Sequence, residues 1–288
     1  MATESYQMNT TVETVNLLAI LLNCFIFVIL PLELWRRWKK STLNWLAIKE
    51  MLASVSPLLP DLLTGTFVLA VVSACYLAAG ELSPWEIPIT PISTLVCLLL
   101  VDFMYYWDHR CSHRVRGLWA LYHSVHHSSP QFDQTTTFRI SFVDSFFTPW
   151  FYLPIILIGF DPSIVFACFT FILSYQTWVH TESIGKLKWL DAWLNTPSNH
   201  RVHHGVQALY QDKNYGAVLT VWDRIFGTYQ REEETPIFGI THPIESANPW
   251  TVHFCEIGRL WRDMLKTKGW LNRIAIWVMP PGWSPKKD

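Results

Sequence analysis

Eight of the eleven histidines in this chain fall into three short clusters. They are His109-x3-His113, His123-x2-His126-His127 and His200-x2-His203-His204. Spacings of three or four residues put side chains on one face of a helix, with Cβ atoms about 5–6 Å apart. Each cluster is therefore expected to offer two or three imidazoles to one point in space. Imidazole is the commonest protein ligand for transition metals. Eight such ligands exceed the needs of one ion and suit two. His180 stands alone after an apolar run and is the candidate ninth ligand, which gives each metal four or five nitrogens and leaves positions open for chemistry. Imidazole suits iron, zinc, copper and nickel alike, so the spacing does not name the metal. Cys111 lies two residues from His109 and faces away from it on a helix. His242 and His253 have no partner at ligand spacing.

Other chemistries leave no mark. There is no His-Glu-x-x-His of a zinc protease, no G-x-S-x-G and no dinucleotide fingerprint. Reducing equivalents must then come from a partner protein or a small reductant.

The elements that must position these histidines read as membrane helices. Half of the 288 residues are hydrophobic, and 16% are charged, against about 25% in a soluble domain. With 16 Trp, 17 Phe and 10 Tyr, the chain fits a bilayer protein with aromatic belts. A net charge of −1 speaks against a nucleic-acid partner. The six cysteines form no framework, so no disulfide is expected. Residues 1–14 lack Lys and Arg and do not read as a cleavable signal peptide. They hold a glycosylation sequon, Asn9-Thr10-Thr11.

Spanning helices of about 20 apolar residues are expected over residues 15–34, 62–80 and 92–107. A helix lying along the membrane is expected over 42–56. An apolar hairpin is expected over 146–160 and 162–179, broken at Gly159–Pro162. Trp35-Arg36-Arg37-Trp38-Lys39-Lys40 is a stop signal and a cytoplasmic marker. Counting spans from it brings all three clusters and His180 to the cytoplasmic side. The fold class is thus all-α, an integral membrane helical protein with a cytoplasmic histidine-rich cap. Its segments are N-terminal membrane helices (1–90), a di-metal catalytic core (91–235) and a cytoplasmic or interfacial end (236–288).

Asp102 sits inside a spanning helix, where an acid is costly and needs a partner. Seven residues before His109, it is expected to hold that imidazole's N–H and orient it. Asp144 is a weaker candidate for the same role, and Asp223 and Arg224 read as a local ion pair.

The order of the three boxes resembles the fatty acid hydroxylase/sterol desaturase superfamily over residues 98–229. Asp102 to Arg110 is similar to the entry into its first box. His123-Ser124-Val125-His126-His127 is similar to the second, and Asn199-His200-Arg201-Val202-His203-His204-Gly205 to the third. Asn214-Tyr215-Gly216, Trp222-Asp223-Arg224 and Gly227-Thr228 continue the pattern. Trp178-Val179-His180-Thr181-Glu182, Asn195-Thr196-Pro197-Ser198 and Thr241-His242-Pro243 resemble its ether-lipid-cleaving branch, which carries Glu where this chain has Arg114.

The resemblance implies an O2-dependent, di-iron oxidoreductase using those nine histidines to hydroxylate a lipid C–H, including one beside the ether oxygen of an alkylglycerol. A sterol desaturase or another lipid hydroxylase is the alternative, and a non-enzymatic metal-binding membrane protein a further one. It also implies two iron ions, a membrane lipid substrate, and an electron donor supplied in trans, either a reduced pterin or an electron-transfer protein. The membrane would be the endoplasmic reticulum in a eukaryote or the inner membrane in a bacterium.

Overall fold

The computed structural model describes residues 2–285, with the side chains of residues 2–9, Asn9 of the sequon among them, outside the described residues. The described residues are helical, with isolated bridges and no strand. Helix α1 (Ala2–Cys24) continues after a break at Phe25 into α2 (Ile26–Lys39). Pro31 lies inside α2. It has no N–H to donate, and its ring crowds the preceding turn. α3 (Trp45–Val55) begins at Asn44, whose side chain accepts from the Ala47 N–H at 2.9 Å. α4 (Leu58–Leu82) follows almost without pause. α5 (Pro91–Arg114) starts with a capping box of Thr90 and Ser93, with Pro91 in the first turn, where a missing N–H costs nothing.

Four helical stretches are long and apolar enough to cross a membrane: Thr10–Lys39, Trp45–Leu82, Pro91–Arg114 and Pro162–Val179. Phe27, Leu62, Leu63 and Ile92 are among their many exposed apolar side chains. Such a belt belongs against lipid rather than water. A helix is present within the expected 42–56 as α3, but it runs on into α4 as part of one candidate span, Trp45–Leu82.

The expected hairpin is only half a pair of helices. Residues 144–157 form short 3-10 turns and one α turn, Leu153–Leu157. Pro149 and Pro154 interrupt the run, and each removes a backbone donor. The segment still crosses to the far end of the molecule. There the Ile87 N–H bonds the Gly159 carbonyl at 2.8 Å. Gly159 has φ +104, and an added Cβ would meet the Trp85 carbonyl at 2.8 Å, so only glycine fits this turn. The chain then returns through α7 (Pro162–Val179).

Before that crossing, residues 116–127 form one helix, α6, whose middle, Trp119–His123, is a π-turn. After α7 come the short α8 (Pro197–His203) and a cap of loops. The chain ends in two amphipathic helices, α9 (Pro249–Lys266) and α10 (Trp270–Val278). Leu260 and Ile276 pack with Ala120 of α6. Trp277 fills the space over Gly117, where a Cβ would come within 2.4 Å of its ring.

The cationic run and the histidines lie at the same end. Arg36 donates to the Glu182 carbonyl at 2.8 Å, and Arg37 pairs with Asp133 at 3.0 Å. All six cysteines are free thiols.

Candidate metal centre

The nine expected histidines converge into two adjoining groups. His109, His113, His123, His127 and His203 form one, and His126, His180, His200 and His204 the other. Within each group the facing atoms all lie within 4.8 Å of one another. Inside the five-membered group, His123 and His113 face each other through Nε2 atoms at 2.9 Å, as do His203 and His127 at 3.0 Å. Inside the other, the Nε2 of His180 lies 2.8 Å from that of His200 and 3.2 Å from that of His126. The groups touch through His127 and His204, whose rings stack at 4.2 Å.

One expectation about the clusters fails. The second and third do not each serve one point. Helical geometry sorts them differently: every i, i+4 pair (109/113, 123/127, 200/204) stays together, about 40° apart around the axis. The remaining members, His126 and His203, are each next to a paired histidine in sequence and so about 100° away from it. Each therefore joins the opposite group. His126 and His203 cross-link the two groups to the two helices.

Three of the tautomers are fixed from behind. The Nδ1–H of His109 donates to the Tyr215 carbonyl at 2.9 Å, that of His180 to Gln176 at 2.8 Å and that of His203 to Lys213 at 2.9 Å. Each bond leaves the Nε2 lone pair aimed into its group, the state a metal ligand needs. The buried Nδ1 atoms of His126 and His200 have no hydrogen-bond partner. Neutral imidazole nitrogens converging at this spacing fit a metal ion.

Burial holds these rings neutral. It pushes the His180 imidazole down to about 4. Burial, then the neighbouring imidazoles, hold His123, His126, His127, His200, His203 and His204 well below the usual histidine range. In an unfolded chain each would titrate near about 6.5. Below that pH the unfolded state binds more protons than the folded one, so folded-state stability falls with pH. The metal-free protein in detergent is expected to lose thermal stability progressively from pH 7 to pH 5, followed by melting at each pH. A flat profile would contradict neutral burial.

Asp102 does not touch His109. Its carboxylate accepts from Val218 N at 2.8 Å, Leu219 N at 3.3 Å and Trp222 Nε1 at 2.8 Å. The expected bond is lost because a backbone turn with unpaired N–H groups lies closer. Asp102 still acts on His109, one step removed, by holding the turn that follows Tyr215. Asp223 holds the other side. It accepts from Tyr215 N at 2.7 Å, Gly216 N at 2.8 Å and the Thr228 hydroxyl at 2.7 Å. It forms no ion pair with Arg224, whose guanidinium stacks on Tyr229. Asp144 reaches Thr148 at 3.3 Å and no imidazole. Cys111 belongs to neither group. His242 is exposed, and His253 is buried against Phe142, outside both groups.

Three supports are absent from the sequence reading. Glu33 of α2 accepts from Gln134 N at 2.9 Å and from the Thr181 hydroxyl, and Gln134 in turn donates to the His180 carbonyl at 3.0 Å. Glu50 of α3 pairs with Arg139 at 3.0 Å, both almost fully buried. Arg201 pairs with Glu232 at 2.8 Å and donates to the Thr181 carbonyl at 3.0 Å. Glu33 and Glu50 obey the rule that singles out Asp102, an acid in an apolar helix needing a partner; that signal was available.

Beside the five-membered group lies a cavity of about 780 Å³, floored by His113, His127 and His203. Arg114 stands at its edge, paired with Asp212.

Residues 94–228 match the family model described as fatty acid hydroxylase. The chain is 43% identical to the alkylglycerol monooxygenase of Homo sapiens over 205 residues, covering 71% of this chain and 45% of that protein. With the Xenopus tropicalis alkylglycerol monooxygenase the identity is 40% over 204 residues, 71% of this chain and 45% of that one. The ornithine lipid hydroxylase OlsE of Rhizobium tropici is 31% identical over 149 residues, 50% of this chain and 44% of it. The chain spans less than half the length of these relatives. No solved structure matches it.

Proposed function

We propose, from the match of residues 94–228 to the fatty acid hydroxylase model, that this integral membrane protein is an oxygen-dependent lipid monooxygenase with two irons held by the nine histidines. The observation that carries the reading is the pair of adjoining, neutral, buried imidazole groups at one end of a four-span bundle. Bound there, two irons supply the one-electron chemistry that activates O2. Iron itself is taken from the family. The protein holds the imidazoles neutral and largely buried, and fixes the tautomers of His109, His180 and His203 from the backbone. The lipid arrives from the bilayer, where its tail already resides.

The names of the relatives favour an ether lipid. Hydroxylation of the carbon beside the ether oxygen inserts one atom of O2. The other leaves as water, with two electrons and two protons from the donor. The resulting hemiacetal breaks into a fatty aldehyde and glycerol. The bacterial relative supports hydroxylation of another lipid class as the second reading. The donor acts in trans, as a reduced pterin or an electron-transfer protein.

Residues 1–90 serve as anchor and bracing, 91–235 as the catalytic core and 236–288 as an interfacial segment. The cationic run at 35–40 supports a cytoplasmic histidine end by the positive-inside rule.

Purified protein is expected to contain two irons per chain and to release fatty aldehyde from a 1-O-alkylglycerol only with O2 and a reductant. Zinc alone, and no oxygen uptake after iron reconstitution, would refute the oxygenase. Iron-dependent oxygen uptake with hydroxylation of another lipid, and no aldehyde from the ether, would leave the second reading.

A further inference from the structure

The cavity beside the five-histidine group has a charged wall that the reaction does not explain. Arg259, Arg262 and Lys266 recur along one face of α9 and line it. Arg114 and Arg116 are cations of the same lining. Three of the five cations are matched: Arg114 by Asp212, Arg116 by Asp263 and Arg259 by Glu256. Arg262 and Lys266 have neither an acidic partner nor a hydrogen bond among the described residues. The opposite stripe of α9 exposes Trp250, Phe254, Trp261 and Leu265, and α10 exposes Trp270, Leu271 and Ile274. Apolar faces beside a spanning bundle suit the bilayer interface. α9 thus presents apolar rings outward and uncompensated cations to an open cavity whose floor is imidazole. The cavity's volume falls in the range of small-ligand sites, about 300–1,000 Å³.

We propose that this cavity binds a phosphate-type anion, held between Arg262 and Lys266 and carried either on the head of a lipid or free in solution. A guanidinium fork matches phosphate oxygens in pairs, and an ammonium adds a point charge. In the lipid case, which rests on the lipid reading above, the head is held on α9 and the first chain carbons lie toward His113, His127 and His203. The charge then selects among lipids by their heads, independently of chain length.

The test uses the full chain in maltoside micelles, with tryptophan emission as readout, since Trp119 and Trp283 line the cavity. The probes are 1-O-hexadecylglycerol, its 3-phosphate, and inorganic phosphate. The phosphate lipid is expected to bind about tenfold tighter than the neutral one, the effect of two partly exposed charge-assisted contacts. The double variant Arg262→Ala/Lys266→Ala erases that advantage. Lys268→Ala, which removes a cation outside the cavity, retains it. Inorganic phosphate that binds in the millimolar range and loses affinity in the double variant, with no advantage for the phosphate lipid, places the source in solution. Equal binding of the two lipids with no response to inorganic phosphate overturns the proposal, and so does a preference that survives the double variant. The binding needs no turnover, so a failed oxygenase assay and a failed anion site give separate results.

Discussion

Replacing His126 with alanine is expected to empty the four-histidine group and abolish oxygen-dependent turnover. Removal leaves three imidazoles. Because His126 reaches across from α6 to a group otherwise built on His180, His200 and His204, its loss also removes one of the two links between α6 and α8. His203→Ala is the mirror experiment. It takes from the five-membered group the one ring contributed by α8 and leaves four. Both variants should lose activity by at least about 100-fold, since even outer supports of metal ligands are worth 10–100-fold. Metal content should separate them. His126→Ala should retain about one iron per chain, and His203→Ala more than that, because four nitrogens still hold an ion. His253→Ala should keep both. Iron per chain after gel filtration, with oxygen uptake on the same sample, reads all three. Full turnover in either ligand variant would end the two-metal assignment.

A division of nine rings into five and four is legible in the sequence as a count, but its membership is not. The spacing identified the nine histidines and their two-metal capacity, because helical periodicity is a local property. It did not show which ring serves which group, because that depends on how α5, α6, α7 and α8 meet. The i, i+4 pairing rule becomes visible only when a second helix supplies the other half of each group. Asp102 illustrates the same limit. Its cost inside an apolar helix is readable, but its partner is a turn more than a hundred residues away. The nearest ring in sequence was the wrong guess. The spans were readable from composition except for residues 144–157, where prolines replace a helix with 3-10 turns. The chain still makes the crossing, so the expected placement of His180 survived a wrong element. Glu33 and Glu50 share that limit: the need for a partner is readable, its identity is not. Each lies in a run apolar enough to read as a helix, and its partners, Thr181 and Arg139, lie beyond any local window.

Arg139 is expected to be the most sensitive residue outside the histidines. It is 1% exposed and forms its ion pair with Glu50. Its Nε donates to the Ser128 hydroxyl at 3.0 Å and to the Val125 carbonyl at 3.3 Å. Those acceptors close the end of the helix that carries His126 and His127. One guanidinium thus ties α3 to the second histidine cluster. Arg139→Met removes the fork and leaves the Glu50 carboxylate buried and unpaired, which costs about 3–5 kcal/mol. The double variant Arg139→Met/Glu50→Met removes both charges and should recover most of that loss, because a buried pair is nearly neutral against apolar residues of similar size. Metal content should not recover with it. Methionine cannot hold the Val125 carbonyl, so the four-histidine group should stay depleted in a chain that melts close to the wild type. That split between melting temperature and iron content distinguishes a brace for the site from a simple weight-bearing contact. If the double variant regains both stability and two irons, Arg139 holds the fold alone and the position of His126 is set elsewhere.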